Sequence, residues 1–339
     1  MKKILSVVLV VLMLVSVMVF VGCEGEKAEK AETLKFGMGV YSYYGDVTDA
    51  DADTNGSGEV VVTVAAVLLD GEGRIVKADF DTADNTVKYT SDGKAVAAGE
   101  FKTKKEIGSS YGMVAYGGAV KEWFEQVDAL ESVIAGKTLD EVKAMVVNGY
   151  KGNDDVINAG CTIGISDFVY ALEKAVANAK DSAATAEETL NIGIVTAQEN
   201  SDATEEKNGA AELAVTAVAA AVGKDGKVAV ACSETLAVNF SFDMAGASTL
   251  DTSAALKTKD ELGTAYNMSA YGSDLNGDGI VKEWNEQADI FDAACAGLDA
   301  TGIAALAVNG YGVESLQTAG CTVGITDLVK AAVKAATIG

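Results

Sequence analysis

The sequence contains no histidine and no proline. Histidine is the usual general base near neutral pH and the commonest protein ligand of transition metals, so its absence argues against most hydrolases and against a histidine-based metal centre. Without proline, the chain has no proline-rich spacer between its parts. The five cysteines form no CxxC pair, which argues against a zinc site and a thioredoxin-like site, and the sequence alone does not pair them as disulfides.

Positive charge is also scarce. The chain has 26 Lys and Arg residues against 50 Asp and Glu residues, which gives a formal net charge of −24. Proteins bind nucleic acid by neutralising its phosphates with Lys and Arg, so we expect no nucleic acid partner. Hydrophobic residues make up 49% of the chain, which is typical of a globular protein despite the charge.

The N-terminus has the pattern of an export signal. Two lysines, Lys2 and Lys3, precede an apolar run over residues 4–21, and Gly22 and Cys23 follow it. A basic start, an apolar stretch and a small residue before a cleavage point are typical of a signal peptide. The apolar run is long enough to cross a bilayer, so an uncleaved transmembrane anchor is the alternative.

The end of this segment, Phe20-Val21-Gly22-Cys23, resembles the lipobox of bacterial lipoproteins, with Phe20 where that family prefers Leu. The resemblance implies cleavage of residues 1–22, a diacylglycerol on the Cys23 thiol and attachment to the outer face of the cell membrane. Two acyl chains are sufficient for stable anchoring. Residues 23–32 are charged and contain no aromatic residue, which predicts a flexible tether.

Comparison of the chain with itself reveals a tandem repeat. The matching segments, in order, are FKTKKEIGSSYGMVAYGG (101–118) with LKTKDELGTAYNMSAYGS (256–273), VKEWFEQVDALESVIAG (120–136) with VKEWNEQADIFDAACAG (281–297), VNGY at 147–150 and 308–311, and AGCTIGISDFVYALEKAV (159–176) with AGCTVGITDLVKAAVKAA (319–336). We therefore predict one domain over residues 33–176 (copy 1), a linker over 177–188 and the same domain over 189–339 (copy 2).

Each copy reads as strands followed by helices. Alternating, β-branched sequence around the turns DGEG and KDGK predicts a hairpin, and a second strand pair is expected at Thr86–Thr90 and Ala237–Phe242. Apolar residues at helical spacing predict a helix in the KEW segment. A last helix follows, with Ser166 or Thr326 as its N-cap. This order predicts an α+β fold with helices packed on an antiparallel sheet.

The segment Ala-Gly-Cys-Thr recurs just before the last helix of each copy. The candidate binding residues in it are Gly160, Cys161 and Thr162 in copy 1, and Gly320, Cys321 and Thr322 in copy 2. A tight turn before a helix presents backbone N–H groups, which suits a phosphate, and each Thr adds a hydroxyl. The alternative is a simple helix-entry turn with a buried Cys.

The order of these motifs resembles the FMN-binding domain of membrane-anchored bacterial lipoproteins. The shared features are a hairpin with a D-G-K-type turn, a K-E-W-x-E-Q helix, and a Gly-small-Thr turn before an amphipathic helix. The resemblance implies that a separate flavin transferase attaches FMN to Thr162 or Thr322 through a phosphoester, for electron transfer outside the cell. That family has an Asp six residues before the Thr, where this chain has Val156 and Leu316. Asp155 lies beside the first of these positions, which favours Thr162.

A second candidate site is an acidic loop that copy 1 lacks. Asp274, Asn276 and Asp278 place oxygen ligands at alternate positions and Gly279 occupies the sixth, as in the first half of an EF-hand loop. The twelfth position is Asn285, where a bidentate Glu would be expected. The pattern predicts weak calcium binding, and the alternative is a polar turn that leads into the KEW helix.

Trp123 and Trp284 occupy equivalent positions in the KEW helices. With nearby tyrosines they offer an aromatic wall for a flavin ring or another planar ligand. Their helical spacing beside other apolar residues is more typical of a core position.

These observations leave two functional hypotheses. The first is a surface lipoprotein that binds or carries flavin in extracellular electron transfer. The second is a non-enzymatic surface lipoprotein for binding or adhesion that kept the fold and lost the flavin. A hydrolase or transferase is disfavoured because no nucleophile–base pair can be assembled without histidine. The shared glutamates of the KEW helix, Glu122 with Glu283 and Glu125 with Glu286, are expected to face solvent.

Overall fold

The computed structural model describes residues 32–270, 272, 274, 279 and 281–337, which belong to one compact unit beginning at Glu32. The predicted α+β class is confirmed. The predicted signal peptide, Cys23, Asn276 and Asp278 lie outside the described residues. Among the residues that are described, no helix combines the length and the apolar character needed to cross a bilayer.

The three long strands, the five α-helices and the short two-stranded hairpin of copy 1 recur in the same order in copy 2. The strands of copy 1 and its connection are β1 Lys35–Thr48, β2 Gly56–Leu69, β3 Ile75–Tyr89, β4 Ala95–Val96, β5 Val146–Val147, β6 Lys151–Gly152 and β7 Lys180–Asp181, and those of copy 2 are β8 Thr189–Ser201, β9 Gly209–Val222, β10 Val228–Phe242, β11 Ala307–Val308 and β12 Tyr311–Gly312. The α-helices are α1 Lys104–Ile107, α2 Trp123–Ile134, α3 Leu139–Lys143, α4 Asp154–Ala159 and α5 Ser166–Asn178, then α6 Lys259–Leu262, α7 Trp284–Cys295, α8 Ala300–Ala304, α9 Glu314–Ala319 and α10 Thr326–Ala336. Short 3₁₀ helices lie at Gly108–Tyr111, Gly263–Ala265 and Met268–Ala270.

Each copy has one antiparallel sheet of long strands, in the order β4-β3-β2-β1-β7 for copy 1 and β10-β9-β8 for copy 2. The predicted hairpin turns are confirmed between β2 and β3 and between β9 and β10. The prediction of a separate second strand pair is wrong. Thr86–Tyr89 and Ala237–Phe242 are the last parts of β3 and β10, which continue through them without a break. Pairing continues to the end of β3, where Tyr89 lies opposite Gly56, the first residue of β2.

The connection between the copies is ordered. β7 pairs with the start of β1, and the Leu34 amide donates to the Ala184 carbonyl at 2.8 Å. The predicted linker over residues 177–188 therefore lies along the edge of the first sheet.

The helices pack on one face of each sheet. The predicted KEW helices are confirmed as α2 and α7, and their apolar residues are buried. The predicted N-caps are wrong by one residue, because Ser166 and Thr326 are already the first residues of α5 and α10. Ile165 and Ile325 precede them, and the amide of each donates to a carbonyl of the VNGY turn.

The other faces of the two sheets pack against each other. The central strand β2 is therefore buried on both sides. Its residues Val60, Val62, Val64, Ala66 and Leu68 point to the inter-sheet core, and Ala65, Val67 and Leu69 point to the helices. Strand β9 divides its side chains in the same way between the inter-sheet core and the helices of copy 2. The chain thus forms four layers, helix–sheet–sheet–helix.

Reciprocal contacts relate the two copies by an approximate two-fold axis. Lys174 of α5 pairs with Glu261 of copy 2 at 2.6 Å, and its counterpart Lys334 pairs with Glu106 of copy 1 at 2.5 Å. Equivalent residues also meet each other, since the rings of Tyr89 and Phe242 stack with centroids 4.6 Å apart. Such paired contacts are the pattern of a symmetric dimer interface.

Candidate functional site

The Ala-Gly-Cys-Thr turn closes the short helix before the last helix. Gly160 ends α4 with φ +103°, and Gly320 ends α9 with φ +104°, a left-handed conformation that favours glycine. The next residues, Cys161 and Cys321, are fully buried. Burial raises the pKa of both thiols to about 11, so they are neutral, apolar parts of the core at physiological pH. The cysteines of the described residues are all free.

One glutamine side chain holds each turn. The backbone N–H and the hydroxyl of Thr162 both donate to Gln126 Oε1, at 2.8 and 2.9 Å. In copy 2, Thr322 donates to Gln287 Oε1 in the same way, at 2.7 and 3.2 Å, and the Val323 N–H joins at 3.0 Å. Both glutamines are buried on the KEW helices. The N–H groups that the sequence offered to a phosphate are thus already bonded within the protein.

A lysine lies against each turn. The Lys121 ammonium donates to the Ala159 carbonyl at 3.1 Å, and its side chain covers Gly160 so closely that a Cβ there would meet Nζ at 2.4 Å. Lys282 covers Gly320 in the same way. A positive charge therefore accompanies each Thr turn in a chain that is otherwise strongly acidic.

A cavity opens beside the turn in each copy. In copy 1 it is lined among others by Lys104, Tyr111, Met113, Trp123, Ile163 and Gly164, and in copy 2 by their counterparts Lys259, Tyr266, Met268, Trp284, Val323 and Gly324, together with Thr322. The lysine sits over both rings in each copy, with Lys104 Nζ 5.4 and 5.7 Å from the centroids of Tyr111 and Trp123. The copy 2 distances are 5.1 and 5.6 Å. The two tryptophans are 4% exposed, so each is a core residue that also walls a cavity.

The two cavities differ in size. The copy 2 cavity is about 590 Å³ and the copy 1 cavity about 270 Å³. In copy 1, Lys104 forms an ion pair with Asp84 at 3.1 Å, and Tyr43 and Asp167 also line the walls. Pockets for small organic ligands are typically about 300–1,000 Å³, so the copy 2 cavity has room for one without rearrangement.

Of the KEW-helix glutamates, Glu125 and Glu286 are exposed as predicted, whereas Glu283 is half-buried and Glu122 is buried. Glu122 is 7% exposed and accepts from the amides of Met113 and Val114 at 2.9 and 3.2 Å, which positions the wall of the cavity. Glu122 and Glu125 also form a capping box at the start of α2, and Glu283 and Glu286 repeat it on α7. The predicted solvent-facing role is wrong for Glu122. The sequence signal was partial, since Glu125 and Glu286 match the last position of the S/T-x-x-E capping pattern while Glu122 and Glu283 stand where it has Ser or Thr.

The positions that carry Asp in the flavin-carrying family are buried here. Val156 and Leu316 are both in the core, on α4 and α9. Asp155 is exposed in the first turn of α4. A transferase that reads an acidic side chain at this place would meet it only on copy 1, one position early.

The acidic loop of copy 2 is only partly described. Asp274 Oδ2 accepts from the Gly279 amide at 2.9 Å. Within the described part of the chain, no group of three or more Cys, Asp or Glu side chains is placed to hold a metal ion. Calcium binding by Asp274, Asn276 and Asp278 stays a prediction.

Comparison with known proteins gives one informative similarity. The chain is 34% identical over 129 residues to a chlorophenol reductase of Desulfitobacterium hafniense. The match covers 34% of this chain and 38% of the reductase, so the chain spans well under half the length of that relative. No protein-family model matches the chain. No solved structure matches it.

Proposed function

We propose that this protein is a lipoprotein, anchored through Cys23 on the outer face of the membrane, that binds flavin and carries electrons outside the cell. One observation carries the flavin part of the proposal. The same lysine, tyrosine, methionine and tryptophan wall a cavity beside the same Gly-Cys-Thr turn in both copies. The similarity to a reductase supports a redox role.

The residues present suit FMN. The aromatic faces of Tyr266 and Trp284 are suited to an isoalloxazine ring, and Lys259 is placed to stabilise negative charge on it. Lys282 at the Thr322 turn supplies positive charge for the phosphate. Bound flavin would supply the reversible uptake and release of electrons. The chain's own groups bind and orient it.

Attachment through a phosphoester is the finer part of the proposal. The Thr162 hydroxyl is on an exposed residue, which a transferase can reach, whereas Thr322 is half-buried beside the larger cavity. We therefore propose Thr162 as the covalent site and the copy 2 cavity as a site for non-covalent flavin. To accept a flavin phosphate, Thr162 must release its hydroxyl from Gln126.

The two tryptophans make a direct test. The chain has only two tryptophans, and each lines one cavity. The single variant Trp123→Phe leaves Trp284 to report on copy 2, and the single variant Trp284→Phe leaves Trp123 to report on copy 1. Titration with FMN should quench Trp284 at lower FMN concentration than Trp123, because the copy 2 cavity is larger. If neither tryptophan is quenched, non-covalent flavin binding is excluded.

Whole-protein mass spectrometry tests the rest. Protein made in a bacterium with a flavin transferase should carry a diacylglycerol on Cys23 and one FMN that Thr162→Ala removes and Thr322→Ala leaves in place. If FMN is lost only in the Thr322→Ala variant, Thr322 and not Thr162 is the attachment site. A mass increment for the lipid without one for FMN would support the membrane anchor and contradict covalent flavin attachment.

A second function rests on a specific observation. The turn's amide and hydroxyl donors are satisfied by Gln126 and Gln287, and the acidic motif position is apolar in both copies. These features suit a surface lipoprotein for binding or adhesion that has lost flavin. Absence of FMN in both tests above would favour it.

A further inference from the structure

A half-buried lysine neutralises two carboxylates at the edge of the copy 1 sheet. Lys105 lies between Asp79 of β3 and Glu131 of α2, and contacts both. Glu131 Oε1 accepts from the Phe80 amide at 3.0 Å and from the Lys105 ammonium at 3.3 Å. Each acceptor of this cluster thus has a cation or an amide within reach, which buried carboxylates require.

Copy 2 keeps one of the two carboxylates at this place, as Asp292, and has Asp260 in place of the lysine. The repeat aligns Lys105 with Asp260, Asp79 with Cys232 and Glu131 with Asp292. Asp292 Oδ2 accepts from the Ser233 amide at 2.9 Å, just as Glu131 accepts from Phe80. Its other oxygen, Oδ1, makes no hydrogen bond with a described residue, although Asp292 is only 8% exposed.

A cavity of about 370 Å³ lies beside Asp79 and Glu131 in copy 1, and a larger counterpart lies beside Asp292 and Asp260 in copy 2. This counterpart measures about 460 Å³ and lies between β10, α7 and the ordered connection after α5. Its walls include Cys232, Glu234, Asp260, Asp289 and Asp292. Glu234 Oε2 is a second buried oxygen without a hydrogen-bond partner in the described part of the chain. Lys180 is the only cationic side chain among the lining residues, and it is exposed.

We propose that this cavity is a binding site for a small organic cation with a primary ammonium group, whose nitrogen sits between Asp292 and Asp260 where copy 1 holds the Lys105 side chain. An ammonium group donates three hydrogen bonds, so it can satisfy the unpaired Oδ1 of Asp292 and still pair with a second carboxylate of the cavity wall. The described residues do not place three metal ligands together here, which disfavours a bare metal ion. The volume is of the size that holds a small organic ligand.

The probe is n-butylammonium, which reproduces a lysine side chain. The full-length chain is unfolded by heating in phosphate buffer that contains no other amine. Its melting temperature should rise by about 2–5 °C at a saturating concentration of n-butylammonium. Tetramethylammonium, with the same charge but no N–H donor, should give no such rise. Asp292→Asn should abolish the response. An equal response to both cations, or a response to calcium chloride without one to n-butylammonium, would overturn the proposal.

The twin site supplies matched variants. Asp260→Lys places an ammonium group beside Asp292, so it should raise the melting temperature without ligand and remove the response to the probe. Lys105→Ala removes the ammonium group that contacts Asp79 and Glu131 beside the copy 1 cavity and should add a second response. Wild-type protein that ignores the probe, while Lys105→Ala responds, would show that copy 2 does not bind ammonium. The proposed ammonium site lies outside the two cavities beside the Gly-Cys-Thr turns. The amount of flavin bound to each variant therefore tests the proposed function independently of the response to the probe.

Discussion

At the scale of single residues, one buried amide organises each candidate flavin turn. Gln126 binds the Thr162 amide and hydroxyl through Oε1 and the Lys121 carbonyl through Nε2, at 3.0 Å. It therefore links the start of α2 to the turn before α5. Sequence comparison placed this glutamine within a repeated motif, but only the three-dimensional structure showed that its partner lies 36 residues away.

Gln126→Leu should destabilise the protein by about 1–3 kcal/mol, because it leaves the Thr162 amide and the Lys121 carbonyl without partners. Urea unfolding followed by tryptophan fluorescence measures the change. Asp128→Asn, an exposed change on the same helix, should stay within about 0.5 kcal/mol of wild type. Equal stability of the two variants would show that the turn holds without the glutamine.

Buried acids give copy 2 an unusual dependence on pH. Burial raises the pKa of Asp292 to about 7 and that of Glu234 to about 8. In the unfolded chain these groups ionise near pH 4. The folded state therefore holds their protons over this interval, and stability must fall as pH rises from about 4 through 7–8.

The test is the pH profile of unfolding in buffers without amines. Wild type should lose on the order of a few kcal/mol between pH 5 and pH 8 through these groups. Asp292→Asn should make the profile shallower, since an amide does not ionise and only Glu234 of the two groups remains. A profile that rises over this interval in wild type and variant alike would mean that the carboxyls are ionised in the folded protein.

At the scale of secondary structure, glycine lets the last helix of each copy lie directly on the first strand. A Cβ on Gly39 of β1 would meet the Ala171 carbonyl oxygen of α5 at 2.3 Å. The equivalent Gly193 of β8 would meet the Ala331 carbonyl oxygen of α10 at 2.1 Å. These contacts set the spacing between helix and sheet, and hence the position of the turn that precedes the helix.

Gly39→Ala should cost about 3 kcal/mol of unfolding free energy, because the helix must move away from the strand. Gly99→Ala is the matched control, since nothing lies within 4 Å of a Cβ built at that exposed position. Chemical denaturation of both variants tests the contact. Comparable midpoints for the two would show that the helix shifts at no cost.

The elements themselves were largely predictable, and their ends were not. The hairpins and the KEW helices followed from turn residues and apolar spacing, which are local signals. The length of β3 and the start of α5 depended on partners far along the chain, such as Gly56 opposite Tyr89. The residues that wall the cavities lay in the repeated blocks, but their grouping is set by tertiary packing.

At the scale of the whole molecule, the two copies share a core. The sequence of β2 indicated this shared core, because residues 60–69 are all apolar except Thr63. A strand with one solvent-exposed face would instead alternate apolar and polar residues. Each fully buried aliphatic side chain contributes about 1.5–3 kcal/mol. The inter-sheet core therefore makes the stability of each copy dependent on the other.

Leu213→Ala removes a side chain from the copy 2 wall of this core and should cost about 2–5 kcal/mol. The Trp123→Phe and Trp284→Phe backgrounds follow the copies separately during thermal unfolding. Both tryptophans should report the same lowered transition. A shift seen by Trp284 alone would mean that the copies unfold independently.

The shared core also bears on how the copies can diverge. A single copy would expose its inner sheet face and would be stable only when paired with another, at a population set by protein concentration. Joining two copies in one chain makes that pairing intramolecular, so it persists at any dilution. Selection can then act on each half separately, and the exchange of Lys105 for Asp260 at equivalent positions is one such asymmetry, which a homodimer of identical chains cannot contain.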